Sequence, residues 1–300
     1  MSTQHLEAVD FTTSHQRGWT TLQPLEQCRA ELQKRSFQVA HSLAGNPLFA
    51  VENLIQVAQD ASKRHRDLYL DAGSVSINDK WGEIPVPDMP VDQVIRRIQT
   101  AGAWIIMKHV EKDPRYKAVL DEFADFVRSI AGEEGARLLC NPEMLVLITS
   151  PGRLTPFHFD AEVNFLVQIQ GTKDLWVCDP SDRSITTEQE IETYYAVSIN
   201  AANYKPHAEA KASKYLLRPG DAIHIPSHAA HWVKNHDNIS VSLSLNFEWP
   251  RWKQADVYQA NHYLRRMGLS PNPPGRSAVI DRTKAFLGAA SRPVKRWLGK

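Results

Sequence analysis

The sequence predicts an α+β protein with a jelly-roll-like β core set between N-terminal and C-terminal helices. Three observations carry that reading. From Met144 to Phe247, short β-type runs alternate with Gly/Pro corners at even spacing, the pattern of a sandwich or barrel. Before about residue 100 and after residue 251, apolar residues recur at helical spacing instead. The chain has 300 residues, 42% of them hydrophobic and 23% charged, enough to bury a core and too apolar for disorder.

Along the chain, Leu25–Leu43 is rich in Gln, Glu, Arg, Leu and Ala and stops at Gly45-Asn46-Pro47, so a helix is expected there. Leu48–His65 repeats Val51, Leu54, Ile55 and Ala58 on one helical face. The proline-rich stretch Ile84–Pro90 is a spacer, and Val91–Thr100 a short helix with Val94, Ile95 and Ile98 on one face. Ala103–Met107 reads as a strand, followed by a helix over Arg115–Ala131. Strands are then expected at Met144–Thr149, Val163–Ile169, Asp174–Cys178, Lys214–Leu217, Asp221–Ile225 and Ile239–Phe247. A helix over Gln254–Met267, a linker at Ser270–Gly275 and a basic amphipathic tail complete the outline. The expected division is a mostly helical extension (1–100), a jelly-roll catalytic core (101–250) and C-terminal helices with a basic tail (251–300). No internal repeat stands out.

Lys and Arg number 35 against 34 Asp and Glu, a formal charge of +1, so no global field draws the chain onto nucleic acid. Cys28, Cys140 and Cys178 are odd in number and lack a CxxC pair, which argues against a disulfide framework or a thiolate zinc site. They read as buried, reduced core thiols. Met1–Glu7 lacks the basic start and apolar run of a signal peptide, and no stretch approaches a membrane span. A cytoplasmic protein is expected.

The chemistry-bearing segment is Thr155-Pro156-Phe157-His158-Phe159-Asp160. Strand residues two apart share a face, so His158 and Asp160 can offer an imidazole and a carboxylate to one point. One further His from a neighbouring strand would complete a two-His-one-carboxylate facial triad, the donor set of non-haem Fe(II). His-x-Asp alone is weak: the chain also holds His65-Arg66-Asp67, on an expected helix, which reads as a solvated surface pair. For the third ligand, His224, His228, His231 and His236 compete. His224 reads as a half-buried strand residue and His228 as a loop residue. What separates His158 and Asp160 is Arg218-Pro219-Gly220-Asp221 downstream, feeding a strand that ends in Ile225-Pro226, with His231 five residues on.

That arrangement, over about Met144–Trp249, resembles the JmjC and cupin-like hydroxylases, nearest to the asparaginyl hydroxylase branch that includes factor-inhibiting HIF. The resemblance implies a double-stranded β-helix (jelly-roll/cupin) core. It also implies an Fe(II)- and 2-oxoglutarate-dependent oxygenase that uses O2, hydroxylates a protein side chain or small molecule, and releases succinate and CO2. Carried over by position, His158, Asp160 and His231 match the iron ligands and catalytic residues. Lys173 matches the lysine that pairs with the distal carboxylate of 2-oxoglutarate. Thr155 matches a hydroxyl donor to that carboxylate, and Asn164 and Asn246 match polar positions near the iron and cosubstrate. The carboxylate retained at Asp160 favours hydroxylation over halogenation. Ser242, Ser244 and Asn246 alternate onto one strand face, as a site wall would. Glu248 departs from the branch, which has an aromatic residue there. The insertion over Ser181–Ser213, with Tyr194, Tyr195, Tyr204 and His207, is expected to shape the substrate site. Helices after the core often pair subunits in this family, so a homodimer is expected. The competing readings are a non-catalytic cupin-like binding or regulatory protein and a metal-dependent sugar isomerase.

Overall fold

A computed structural model describes residues 15–16, 18–64, 66–249 and 252–297. The signal-peptide reading of Met1–Glu7, and His65, lie outside the described residues, as do Pro250, Arg251 and 298–300. The strands are β1 (His15–Gln16), β2 (Trp19–Thr21), β3 (Phe37–His41), β4 (Leu68–Ala72), β5 (Ala103–Met107), β6 (Cys140–Thr149), β7 (Leu154–His158), β8 (Val163–Gln170), β9 (Lys173–Val177), β10 (Ser213–Leu217), β11 (Asp221–Ile225), β12 (His231–Asn235) and β13 (Ser240–Glu248). The helices are α1 (Leu25–Glu31), α2 (Val51–Ser62), α3 (Val91–Arg96), α4 (Pro114–Ala136), α5 (Glu188–Ala196), α6 (Ala208–Lys211), α7 (Trp252–Arg266) and α8 (Ala278–Trp297).

Among the described residues the strands form two antiparallel sheets. The nine-stranded one runs β1-β2-β3-β11-β8-β13-β6-β5-β4 and the four-stranded one β10-β9-β12-β7. This is the expected jelly roll with helices around it. Strand alternation builds both layers of packing. In β8 and β6, Val163, Phe165, Val167, Met144, Val146 and Ile148 join the helix-side core with Phe123, Phe126 and Val127 of α4. Their neighbours Asn164, Leu166, Leu145 and Leu147 point between the sheets.

The helix expected over Leu25–Leu43 is in fact α1 followed by β3. Gln33 takes a positive φ of 67°, and Phe37, Val39 and His41 alternate inward while β3 pairs with β11. Local composition favours helix, but a sheet edge needing a partner wins. β1, β2, β4, β7 and β12 also escaped the strand pattern, and the first hundred residues contribute four strands to the large sheet besides their helices. α3 stops at Arg96 rather than Thr100. α4 runs to Ala136 through a bend at Gly132, and β6 starts at Cys140 rather than Met144. Cys28 and Cys178 are buried free thiols, whereas Cys140 is only partly covered, contrary to expectation. Asp67, expected on a solvated surface, is buried: Arg64, His109 and Lys112 all hydrogen-bond its carboxylate. Burial alone would raise its pKa, but the hydrogen bonds from Arg64, Lys112 and His109 override it and hold it far below the usual carboxylate range.

Candidate metal centre

β7 and β12 are neighbours in the small sheet, and their register sets His231 directly across from His158. A bulge follows between His231 and Val233. The two imidazole rings lie 4.1 Å apart, centroid to centroid. β7 ends at His158, so Asp160 stands in the following turn rather than on the same strand face. The alternation argument therefore places only the histidine. The backbone N–H of His228, in a left-handed turn with φ 63°, donates to the Asp160 carbonyl at 2.8 Å and ties that turn to the loop before β12. Asp160 Oδ2 comes 3.8 Å from His231 Nε2 and 4.0 Å from His158 Nε2. One ligand atom from each of the three lies within 4.8 Å of the others.

The tautomers suit ligation. His158 Nδ1 lies 2.8 Å from the Pro156 carbonyl and His231 Nδ1 2.9 Å from the Ala229 carbonyl. A carbonyl only accepts, so each Nδ1 carries a proton, and Nε2 is the ring nitrogen each turns toward Asp160. Burial, with His158 beside it, lowers the His231 pKa to about 4, keeping that ring neutral. Two imidazoles and one carboxylate, with the remaining side open to a cavity, fit a divalent iron site.

That cavity, about 280 Å³, lies between the sheets and is lined by all seven residues singled out from the sequence: His158, Asp160, His231, Lys173, Thr155, Asn164 and Asn246. Lys173 opens β9 after the β8–β9 turn, where Gly171 has φ +77° and a Cβ would meet the Ile239 carbonyl at 2.3 Å. The lysine is 4% exposed, and no carboxylate pairs with it among the described residues. Burial pushes its pKa down to about 7. An ammonium held there without a counter-charge is a receptor for an anion. Asn164 donates to Ser244 Oγ at 2.7 Å while its own Oδ1 is buried without a partner. Ser244 in turn donates to Asn246 Oδ1 at 3.0 Å. Ser242 is not part of this wall: its hydroxyl donates to Gln168 in a buried network away from the cavity.

His224 is wholly buried rather than half-buried, with Nδ1 on the Arg35 carbonyl and its ring stacked on Phe37. His228 bonds the Tyr195 hydroxyl at 2.8 Å, and His236 sits beside Thr172. Glu248 is exposed, accepts from Asn141 and does not line the cavity.

Sequence reasoning missed Trp81, Trp104, Glu143 and Glu162, which complete the walls. Trp81 meets His158 edge-on at 6.1 Å. The insertion holds it in place: Trp81 N donates to Asn200 Oδ1 at 3.1 Å and Asn200 Nδ2 donates to the Trp81 carbonyl at 2.9 Å. Tyr194 and Ile199 of the insertion line the cavity directly. Burial, then the nearby Asp160 charge, raises the Glu162 pKa to about 7. Glu162 stands two residues past Asp160, a spacing the sequence displayed without saying that the turn folds inward.

Residues 49–251, about two thirds of the chain, match the model of the Cupin-like domain family, and the chain belongs to that family. Among curated proteins it is similar to Jumonji C domain-containing protein 5 of Drosophila melanogaster, 29% identical over 104 residues, covering 33% of this chain and 25% of that protein. It is also similar to HSPB1-associated protein 1 of Bos taurus, 28% identical over 149 residues, covering 47% and 30%. The chain thus spans about a third or less of the length of these relatives. Among solved structures, two of Escherichia coli YcfD, one described as a ribosomal oxygenase, superpose with TM-scores of 0.53 and 0.50 at 15% and 16% identity. Each superposition covers 95% of this chain and 72% of that one, and the likeness is one of fold.

Proposed function

We propose that the protein is an Fe(II)- and 2-oxoglutarate-dependent oxygenase that hydroxylates a protein side chain or a small molecule. The observation that carries this reading is the pairing, in one cavity, of a three-residue donor set with a buried ammonium that has no carboxylate partner. Iron bound by His158, Asp160 and His231, together with 2-oxoglutarate, would supply the power to activate O2 for hydroxylation.

The chain's own residues do the rest. His158 and His231, held through Nδ1 by backbone carbonyls, offer Nε2 to the metal, and Asp160 contributes the carboxylate oxygen that offsets part of its charge. Lys173 and Thr155 anchor the distal carboxylate of 2-oxoglutarate. Asn164, through its free Oδ1, and Asn246 fix the polar groups nearer the metal. Trp81, Trp104 and Tyr194 wall off water and orient the substrate carbon. The motif likeness favours the asparaginyl hydroxylase branch.

The test is anaerobic absorption spectroscopy of metal-free protein titrated with Fe(II) and then 2-oxoglutarate. A visible charge-transfer band requiring both, absent in His158→Ala and weakened in Lys173→Ala, is expected. Iron binding with no band would overturn the cosubstrate assignment and favour an isomerase; no iron binding would leave a non-catalytic cupin.

A further inference from the structure

α8 is amphipathic in the inverted sense. A helix on a protein surface normally turns its apolar stripe inward. Here Lys284 and Gly288 are buried and Asp281 and Ala285 half-buried, so the face that meets the protein is its small and polar one. Gly288 lets α8 lie so close to α7 that a Cβ there would meet the Asp256 carbonyl at 2.3 Å. Lys284 Nζ donates to the Asn272 carbonyl at 2.9 Å, and Asp281 accepts from Gly275 N at 2.7 Å. The opposite face carries Val279, 73% exposed, and Phe286, 74% exposed, flanked by Ile280 and Leu287. In the sequence the same spacing continues through Ala290, Val294 and Trp297. Met267 and Leu269, in the connection from α7, are exposed as well.

Charge decides what covers this face. Arg265 is paired with Glu192, but from Arg266 to Lys300 the sequence holds eight Lys and Arg and one acid, Asp281, although the whole chain stands at only +1. Arg266, Arg276 and Arg282 are exposed. A second copy laid face to face would bring two such basic segments together with one acid apiece to offset them. An anionic lipid surface instead satisfies both features at once. Apolar Phe, Val, Ile and Leu side chains enter the acyl boundary while Lys and Arg meet the headgroups. We infer that α8 is an in-plane anchor by which the protein docks, peripherally and reversibly, on anionic phospholipid.

The experiment is flotation of the full 300-residue chain with vesicles of equimolar phosphatidylglycerol and phosphatidylcholine, against vesicles of phosphatidylcholine alone. Wild type should float with the anionic vesicles only and be released at high salt. Val279→Asp/Phe286→Asp, both fully outward positions, should cut the bound fraction at least tenfold with an unchanged circular dichroism spectrum. Sedimentation velocity without lipid runs beside it. A dimer dissociated by the same double substitution, with no flotation, would overturn the proposal in favour of a second copy. A monomer that does not float would overturn it outright.

Discussion

Lys173 has an ordinary long flexible side chain, yet its setting makes it a switch. Its ammonium is buried with no carboxylate partner among the described residues, and its pKa falls to about 7 because water is excluded. A dicarboxylate bound beside it would favour the charged form, so binding must take up a proton wherever the free protein has lost it. 2-Oxoglutarate affinity, measured anaerobically with Fe(II) present, should therefore fall as pH rises from 7 to 9, by up to about tenfold per unit. Calorimetry in buffers of different ionisation enthalpy should register the proton taken up. An affinity flat over that range would mean that Lys173 is not the anchor. His158 and His231 teach a related point. Their usefulness rests on two backbone carbonyls, of Pro156 and Ala229, that no side-chain pattern reveals.

At the scale of elements, the site depends on where β7 begins. Arg153, one residue before it, is buried against Asp71 of β4 and donates to the Gly102 carbonyl at 2.9 Å, the residue leading into β5. This clamp fastens the edge of the large sheet to the strand that delivers Thr155 and His158. Removing one charge of a buried pair leaves the other uncompensated and costs about 3–5 kcal/mol. Asp71→Asn should lower unfolding free energy in urea by that order and weaken iron binding along with it. A change under about 1 kcal/mol would show that the pair is dispensable. None of this was legible beforehand, because β4 went unnoticed and Asp71 and Arg153 lie 82 residues apart.

Across the whole molecule, acid should loosen the large sheet. His41 of β3 and His224 of β11 sit on adjacent strands, neutral and buried, with pKa values lowered to about 4 and about 3 by burial. The unfolded chain binds protons at both from about pH 6.5 downward, whereas the folded chain refuses them until far lower. Their stabilising contribution is complete above pH 6.5 and is lost as pH falls toward 4. At pH 5 the loss is about 2 kcal/mol per histidine relative to pH 7.5, measurable as a shift of the urea midpoint. The contribution of Asp67, bonded by Arg64, Lys112 and His109, is lost only at still lower pH, since its carboxyl titrates far down. Equal stability at pH 7.5 and 5 would contradict the burial of both imidazoles. Among the described residues no helix is long and apolar enough to cross the membrane on which α8 is proposed to rest.

The sequence by itself determined the jelly roll, because alternation and Gly/Pro corners are local signals that each strand carries. Through the family resemblance that its His-x-Asp segment and Pro-Gly-Asp corner carry, it also pointed to the seven residues that meet in the cavity. Only the tertiary structure decided that Phe37–His41 is a strand, since a sheet edge rather than local propensity ruled there. Strand register brings His231, the candidate the sequence favoured over His224, against Asp160. The tertiary structure alone brought Trp81, Glu143 and Glu162 to the cavity and turned the apolar stripe of α8 outward. Those outcomes depend on which surfaces far apart in the chain are buried against each other, and no local pattern records that.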